Sequence, residues 1–395
     1  LDTILETACG GDALSEGQIV RLFEARGGDV ARITAAANAV RMRTNGNAVT
    51  YVVNRNINYT NICYFKCGFC AFSKGKTHES LRGKPYNLGM DEIARRVQEA
   101  WDRGATEVCL QGGIHPDYTG ETYLEICQTV KQAAPDIHVH AFSPLEVTQG
   151  AATLGITLEA FLLRLKDAGL GTLPGTAAEI LDDEVRAIIC PDKINTGQWL
   201  KVLETAHGIG LKTTSTIMFG HVEAPVHWAR HLLRLRALQA RTGGITEFVP
   251  LPFVHMEAPM ALKGNARRGP TFREALLMHA VARLALHPLI PSIQGSWVKL
   301  GHEGVARILE AGVNDLGGTL MNESITRAAG ASHGQELGPQ QMEALIRASG
   351  RTPLQRTTGY GHPQWSQVER SHAAAPLSEV VNEMTNRKWA GIAAN

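Results

Sequence analysis

The segment NICYFKCGFCAF (61–72) places three cysteines, Cys63, Cys67 and Cys70, within eight residues, in a 395-residue chain that has only seven. Their spacing of i, i+4, i+7 allows two readings: a helix that buries a stripe of thiols, or a loop that curls round a metal. Gly68 would cost a helix about 1 kcal/mol, and seven straight helical residues spread their Cα atoms over roughly 10 Å. The segment also follows an Asn-rich, β-prone run, so the loop is the better reading. A structural zinc would want a fourth ligand and normally a second ligand pair downstream, and no CxxC or HxxxH partner appears. Iron–sulfur cubanes usually take four thiolates; three would leave one iron open. A zinc site or plain buried thiols remain the alternatives. Cys9, Cys109, Cys127 and Cys190 are scattered singly and read as small buried hydrophobes. An odd, unevenly spaced set of cysteines argues against a disulfide framework and for a reducing cytoplasm.

Something must hold such a loop. Short β-prone runs alternate with amphipathic helical stretches, the pattern of βα units on a parallel sheet. Eight strands are expected at 52–60, 106–111, 137–142, 169–174, 211–218, 246–252, 290–296 and 313–318. Helices are expected at 90–103, 120–133, 157–168, 178–189, 197–209, 225–242, 271–286 and 303–311. Asp91 is expected at the N-cap of the first, and Gly104 and Gly169 stand where C-caps are expected. Eight such units predict an α/β fold, a (β/α)8 TIM-type barrel. A doubly wound sheet would want a Gly-rich turn after its first strand, where this chain has the cysteine loop. The expected division is a helical preface (1–50), a barrel core (51–350), and a C-terminal extension (351–395) that loses periodicity and is packed on the barrel surface or partly mobile.

Active sites of such barrels gather at the C-terminal ends of the strands. Here those ends read, in order, as the cysteine loop, QGGIHP, HAFSPLE, PGTAAEI, FGHVE, PLPFVH, QGSWVK and NDLGGT. Every one carries glycine or polar residues.

C-x3-C-x2-C resembles the signature of the radical S-adenosylmethionine (SAM) superfamily, with Phe69 where that family has an aromatic before its last cysteine. The resemblance implies a 4Fe-4S cluster on Cys63, Cys67 and Cys70, with SAM chelating the open iron and one electron releasing a 5'-deoxyadenosyl radical. Gly112 and Gly113 look like the Gly-Gly segment whose backbone meets SAM, although a tight turn would read the same. TIMFGHVE (216–223) is similar to the adenine-side motif G-x-I-x-G-x-x-E at Gly220 and Glu223, but Thr216 replaces the first glycine and Met218 the isoleucine. Glu179 occupies a place where relatives put a polar group near SAM; a solvated carboxylate in the first turn of a helix is an equal reading.

The strand-end motifs from about 10 to 360 together resemble the family of FO synthase second subunits. That resemblance implies a transferase that moves a 4-hydroxybenzyl group from L-tyrosine to 5-amino-6-(D-ribitylamino)uracil, in deazaflavin coenzyme biosynthesis. Its implied partners are a reductase, ferredoxin or flavodoxin as electron donor and FO synthase subunit 1. The substrates would need neutral polar contacts, for which His140, Ser143, Thr176, His221, His255, Gln294, Ser296 and Asn314 are candidates, with Asp315 as the charged member. Trp297 and Lys299 could stack or pair charges. Rival readings are an aminofutalosine synthase-like enzyme of menaquinone biosynthesis and a non-catalytic barrel that carries a cluster or zinc.

Composition narrows the field. Net charge is +1, with no long basic runs, so nothing marks a nucleic-acid partner. The longest apolar stretches are broken by His or Arg and fall short of a membrane span. The first residues lack a basic n-region and a long apolar h-region, so no secretory signal is expected.

Overall fold

The computed structural model describes residues 1–73 and 84–378. Its strands are β1 (Ala48–Val52), β2 (Asn54–Ile57), β3 (Glu107–Leu110), β4 (His138–Ala141), β5 (Leu170–Leu173), β6 (Lys212–Phe219), β7 (Ile245–Pro252), β8 (Asp315–Gly318) and β9 (Thr352–Arg356). Every strand pairing is parallel. Strands β2 to β7 form one sheet in chain order, and β8, β1 and β9 form another.

The two sheets are one curled surface. β1 and β2 are a single extended run interrupted only at Val53. On the far side, single bridges join Phe248 of β7 to Ile293, and Gln294 to Asp315 of β8. Hydrogen bonding therefore passes from β2 through β7, the 293–294 segment and β8 back to β1. The barrel expected from the alternation of elements is present, with one thin side. The seventh expected strand, 290–296, is reduced to those two bridges. Pro291 has no N–H to give a ladder and Gly295 weakens an extended run.

Six expected helices appear with ends shifted by at most two residues: Met90–Asp102, Gly120–Ala133, Leu158–Asp167, Thr196–Gly208, Pro225–Thr242 and Phe272–Leu286. Gly104 and Gly169 take positive φ just past their helices, at 82° and 108°, as C-terminal glycines do. Asp91 is not the N-cap; Gly89 is, and Asp91 stands in the first turn, where its charge suits the helix dipole. The helix expected at 178–189 starts only at Asp183. The one expected at 303–311 is the later part of Trp297–Leu309, which bends at Gly301 (φ 68°). A further helix, Pro144–Leu154, escaped the periodicity reading. Its start is fixed by a capping box between Ser143 and Glu146, a short polar signal rather than an apolar stripe.

The opening helices Glu16–Phe23 and Gly28–Asn45 lie against Pro225–Thr242 and Phe272–Leu286 on the outside of the barrel. Phe23 meets Trp228 edge-on, ring centroids 5.0 Å apart. The run from 352 opens with a strand that joins the sheet. β9 pairs along the whole of β1, from Ala48 opposite Thr352 to Val52 opposite Arg356, and carries Arg356 and Thr358 into the interior. No helix among the described residues is long and apolar enough to cross a membrane.

Candidate active site

A cavity of about 430 Å³ opens where the strands end, and its wall includes all three clustered cysteines. The cysteine segment is a loop, as its glycine and its spacing imply, and the barrel ties it down from several sides. Gly68 donates to Ile189 O at 2.9 Å and accepts from Met260 N at 2.8 Å; Tyr64 N donates to Ile114 O at 3.1 Å. Lys66 N donates to Asp192 Oδ2 at 3.1 Å.

Burial pushes the thiols of Cys63 and Cys67 up from the ordinary range, and the nearby Cys70 adds to the rise. Thiols so placed ionise only with a strong positive charge beside them, such as a metal. The donor set also speaks to which metal. Among the described residues Asp182, Glu184 and His227 are the only set of three whose ligand atoms all lie within 4.8 Å of one another, so the three thiols of the loop do not all meet that spacing. Soft sulfur donors, three in number and on one cavity wall, fit a multi-iron cluster with an open corner. All seven cysteines are free thiols.

Two glycines let the segment after β3 close on this loop. A Cβ at Gly112 would stand 2.3 Å from the Tyr59 ring, and one at Gly113 would stand 2.2 Å from Ile62 O and 2.9 Å from Cys63 Cβ. Gly112 N donates to Glu146 Oε1 at 3.2 Å. Glu146 is buried, takes Ser143 N at 2.7 Å and Ser143 Oγ at 2.6 Å, and accepts the Tyr59 hydroxyl. Burial raises its pKa, with these donors working the other way.

Beside Phe69 lies an ion pair. Lys193 Nζ is 3.0 Å from Glu179 Oε1 and 5.1 Å from the Phe69 ring centroid. Burial disfavours the Lys193 charge, but Glu179 and Cys67 outweigh it and raise its pKa. Glu179 is in a tight turn at φ 46°, not in the first turn of a helix. A non-glycine residue held there costs of order 1–3 kcal/mol and marks a constrained position.

Deeper in, the barrel is polar where such barrels are usually filled with branched aliphatics. Glu107, at the start of β3, accepts Asn54 Nδ2 at 2.8 Å and Thr358 Oγ1 at 2.7 Å. His140 Nδ1 meets Thr172 Oγ1 at 2.7 Å, and burial lowers its pKa. Glu247 faces Arg356 Nη2 at 3.1 Å and the Tyr360 hydroxyl at 2.6 Å. Burial lifts the Glu247 carboxyl to about 7, against the pull of Arg356. Asn56 Oδ1 and Thr176 Oγ1 are buried on the same wall without a protein partner, so each is open to water or a bound molecule.

Of the residues singled out from sequence, Cys63, Cys67, Phe69, Cys70, Gly112, Gly113, His140, Ser143, Thr176, Glu179, Gln294, Ser296 and Lys299 line the cavity. Gly220, His221, Glu223, His255, Asn314 and Asp315 do not. Glu223 folds back on its own loop: it accepts Gly220 N, His221 N at 2.8 Å and Trp228 Nε1 at 3.0 Å. His221 is buried, its Nδ1 2.9 Å from Glu223 Oε2. Asn314 Oδ1 takes Ile293 N at 2.9 Å and the Arg283 guanidinium, which holds the thin side of the barrel together. Asp315 is consumed by Arg356, and half-buried His255 sits in the loop after β7. Glu107, Glu146, Lys193, Glu247, Glu323, Arg356 and Thr358 line the cavity but were not singled out. Most lie inside strands or beyond 350, away from the strand ends where chemistry was sought; Glu146 alone had a signal, its Ser-x-x-Glu box.

The family model described as the Radical SAM superfamily matches residues 57–235, and that described as the CofH/MqnC C-terminal region matches 242–369. An FO synthase of Streptomyces avermitilis is 49% identical over 363 residues, 92% of this chain and 41% of that protein. A 5-amino-6-(D-ribitylamino)uracil–L-tyrosine 4-hydroxyphenyl transferase of Methanopyrus kandleri is 49% identical over 332 residues, 84% of this chain and 89% of that one. The chain thus spans about two fifths of the FO synthases it matches and nearly all of the shorter transferase. Among solved structures, methylornithine synthase superposes with a TM-score of 0.67 at 17% identity, over 89% of this chain and 97% of that one. The hydrogenase maturase HydG of Carboxydothermus hydrogenoformans gives 0.66 at 17%, over 91% and 80%. At such identities these two structures speak for the fold alone.

Proposed function

This chain belongs to the 5-amino-6-(D-ribitylamino)uracil–L-tyrosine 4-hydroxyphenyl transferase family of radical SAM enzymes, and we propose that it moves the 4-hydroxybenzyl group of tyrosine onto the ribitylaminouracil. The observation that carries this reading is one cavity that joins three otherwise unused thiols at its mouth to a polar floor of carboxylates, a histidine and amides. Cys63, Cys67 and Cys70 would hold the 4Fe-4S cluster, and Phe69, Gly112, Gly113 and Glu179 would border SAM. When bound, the cluster and SAM supply a 5'-deoxyadenosyl radical.

The chain's own residues then bind, orient and keep water out. Phe65, Phe72, Leu145, Met218 and Phe253 give the cavity apolar walls, which suit reactive open-shell species. The floor offers Glu107, Glu247, His140, Gln294 and the unpartnered Asn56 and Thr176 to a ligand rich in N–H and O–H groups. A ribityl chain and a uracil edge are such a ligand. With its carboxyl near neutrality, Glu247 can accept or donate a hydrogen bond there. Gly220, His221 and Glu223 act at one remove, by fixing the loop after β6.

The relatives at 49% identity favour this acceptor over the menaquinone-type one. A reductase, ferredoxin or flavodoxin would deliver the electron, and FO synthase subunit 1 would take the adduct onward. The free thiols fit a reducing cytoplasm. We read the chain as a helical preface to residue 50, a barrel core to 350 and an extension whose first strand completes the floor; 379–395 lie outside the described residues.

The test is anaerobic incubation of reconstituted, reduced protein with SAM, tyrosine and 5-amino-6-ribitylaminouracil, read by mass spectrometry. The expected products are 5'-deoxyadenosine and a 4-hydroxybenzyl adduct of the uracil. Deoxyadenosine without the adduct would overturn the substrate assignment, and neither product from cluster-loaded protein would overturn the enzyme.

A further inference from the structure

Two charged groups on the cavity wall have no role so far. Lys299, in the first turn of the helix Trp297–Leu309, lines the cavity, and among the described residues its Nζ forms no ion pair and no hydrogen bond. Glu323, in the loop after β8, lines the same cavity and is only 4% exposed. Its Oε1 takes Thr326 N at 2.8 Å, while its Oε2 is buried without a partner. The other mouth charges, Lys193 and Glu179, satisfy each other. A buried carboxylate oxygen and a lysine left open in one cavity are costly unless a ligand completes them.

We propose that Lys299 and Glu323 clamp the amino acid substrate, Lys299 pairing with its α-carboxylate and Glu323 with its α-ammonium; this rests on the transferase reading above. An α-amino acid is the small molecule that offers one charge of each sign on adjacent atoms, the complement of this pair. Burial lowers the Lys299 pKa, and the nearby Glu323 and Glu179 offset part of that; an incoming carboxylate would add to what they do. The loop that carries Glu323 is anchored independently of any ligand, by Glu323 N to Gln335 O at 2.9 Å and Ser324 Oγ to Asn58 Oδ1 at 2.9 Å. The methionyl end of SAM bears the same two charges. In this reading it is spent on the open iron beside Gly112 and Gly113, whereas Lys299 and Glu323 come from the seventh and eighth strand positions. Tyrosine is therefore the ligand assigned.

Equilibrium dialysis of labelled ligands against reconstituted, SAM-loaded protein reads the clamp without turnover. The unaltered protein should hold tyrosine roughly tenfold or more tighter than tyramine, which lacks the carboxylate, or 3-(4-hydroxyphenyl)propionate, which lacks the amine. In Lys299→Met the gap between tyrosine and tyramine should close, and in Glu323→Gln the gap between tyrosine and the propionate. SAM affinity should stay unchanged in both. Equal binding of tyrosine and tyramine by the unaltered protein would overturn the clamp even if neither variant folds. A fall in SAM affinity with tyrosine affinity kept would hand the pair to the methionyl group and overturn it too. If the unaltered protein makes the benzylated uracil while both variants bind tyrosine normally, the clamp fails and the transferase stands. If tyrosine binds through the clamp but no adduct forms, the clamp stands and the transferase reading fails.

Discussion

Arg356 grips Asp315 with two hydrogen bonds, Nε to Oδ2 at 2.6 Å and Nη2 to Oδ1 at 3.0 Å, so the end of β9 is fastened to the start of β8 across β1. The same guanidinium reaches Glu247 of β7. One cation thus neutralises two buried carboxylates from different strands and forms part of the cavity floor.

Arg356→Met should therefore cost about 3–5 kcal/mol, the range for stranding a buried charge by removing its partner. Thermal unfolding of the cluster-free protein should show a midpoint several degrees lower. Adding Asp315→Asn should cost less than the two single changes summed, since the pair acts as a unit. A midpoint unmoved by Arg356→Met would show that the grip carries no stability.

Glu223 links stability to pH. Its carboxylate is held at about 2: burial raises its pKa, but the bonds from His221 and the loop backbone overcome that. A group depressed in the folded state contributes stability above its unfolded pKa, near 4.5, and loses it as pH falls towards 2. Roughly 2 kcal/mol of this contribution should be gone by pH 3. Urea midpoints compared at pH 7 and pH 3 should fall further for the unaltered protein than for Glu223→Gln. Parallel falls would detach Glu223 from the acid limb.

Gly113→Ala introduces a methyl where Ile62 O and Cys63 Cβ already stand. The β3 loop or the cysteine loop must shift. The barrel should still fold, because the clash lies beyond the strand ends, while reconstitution should yield less iron and weaker SAM binding. Full iron and unchanged SAM affinity would mean that the close approach of these two loops does not matter to the site.

Cys67→Ala removes one of the three proposed ligands. Iron content and SAM cleavage should both fall to background, with the far-ultraviolet dichroism of the barrel retained. A variant that keeps iron and activity would remove the cluster from this loop.

The cysteine loop, the order of strands and six helices were legible because each rests on local chemistry: thiol spacing, apolar period and glycine at helix ends. What was illegible was long-range. Nothing in TPLQR (352–356) marks it as a partner for β1, and the 290–296 run reads as a full strand until its Pro and Gly are set against a neighbour. At the site, strand-end position found thirteen cavity residues. It also drew in Glu223 and Asp315, whose carboxylates are fully occupied by their own loop and by Arg356. It passed over Glu107, Glu247 and Arg356, which reach the cavity from inside the barrel, where a sequence gives no cue that aliphatic packing has been replaced by charge.

The pairing of Ala48 with Thr352 joins segments roughly 300 residues apart, and contacts of that span are slow to find. During synthesis at about 5–20 residues per second, some tens of seconds pass between the emergence of β1 and that of β9. Through that interval one edge of β1 has no strand beside it, and Glu247 and then Asp315, once made, have no guanidinium to meet them until Arg356 follows. The nascent barrel therefore spends its longest wait with a polar, unsealed floor, and nascent-chain proteolysis should find it open until residue 356 has cleared the ribosome.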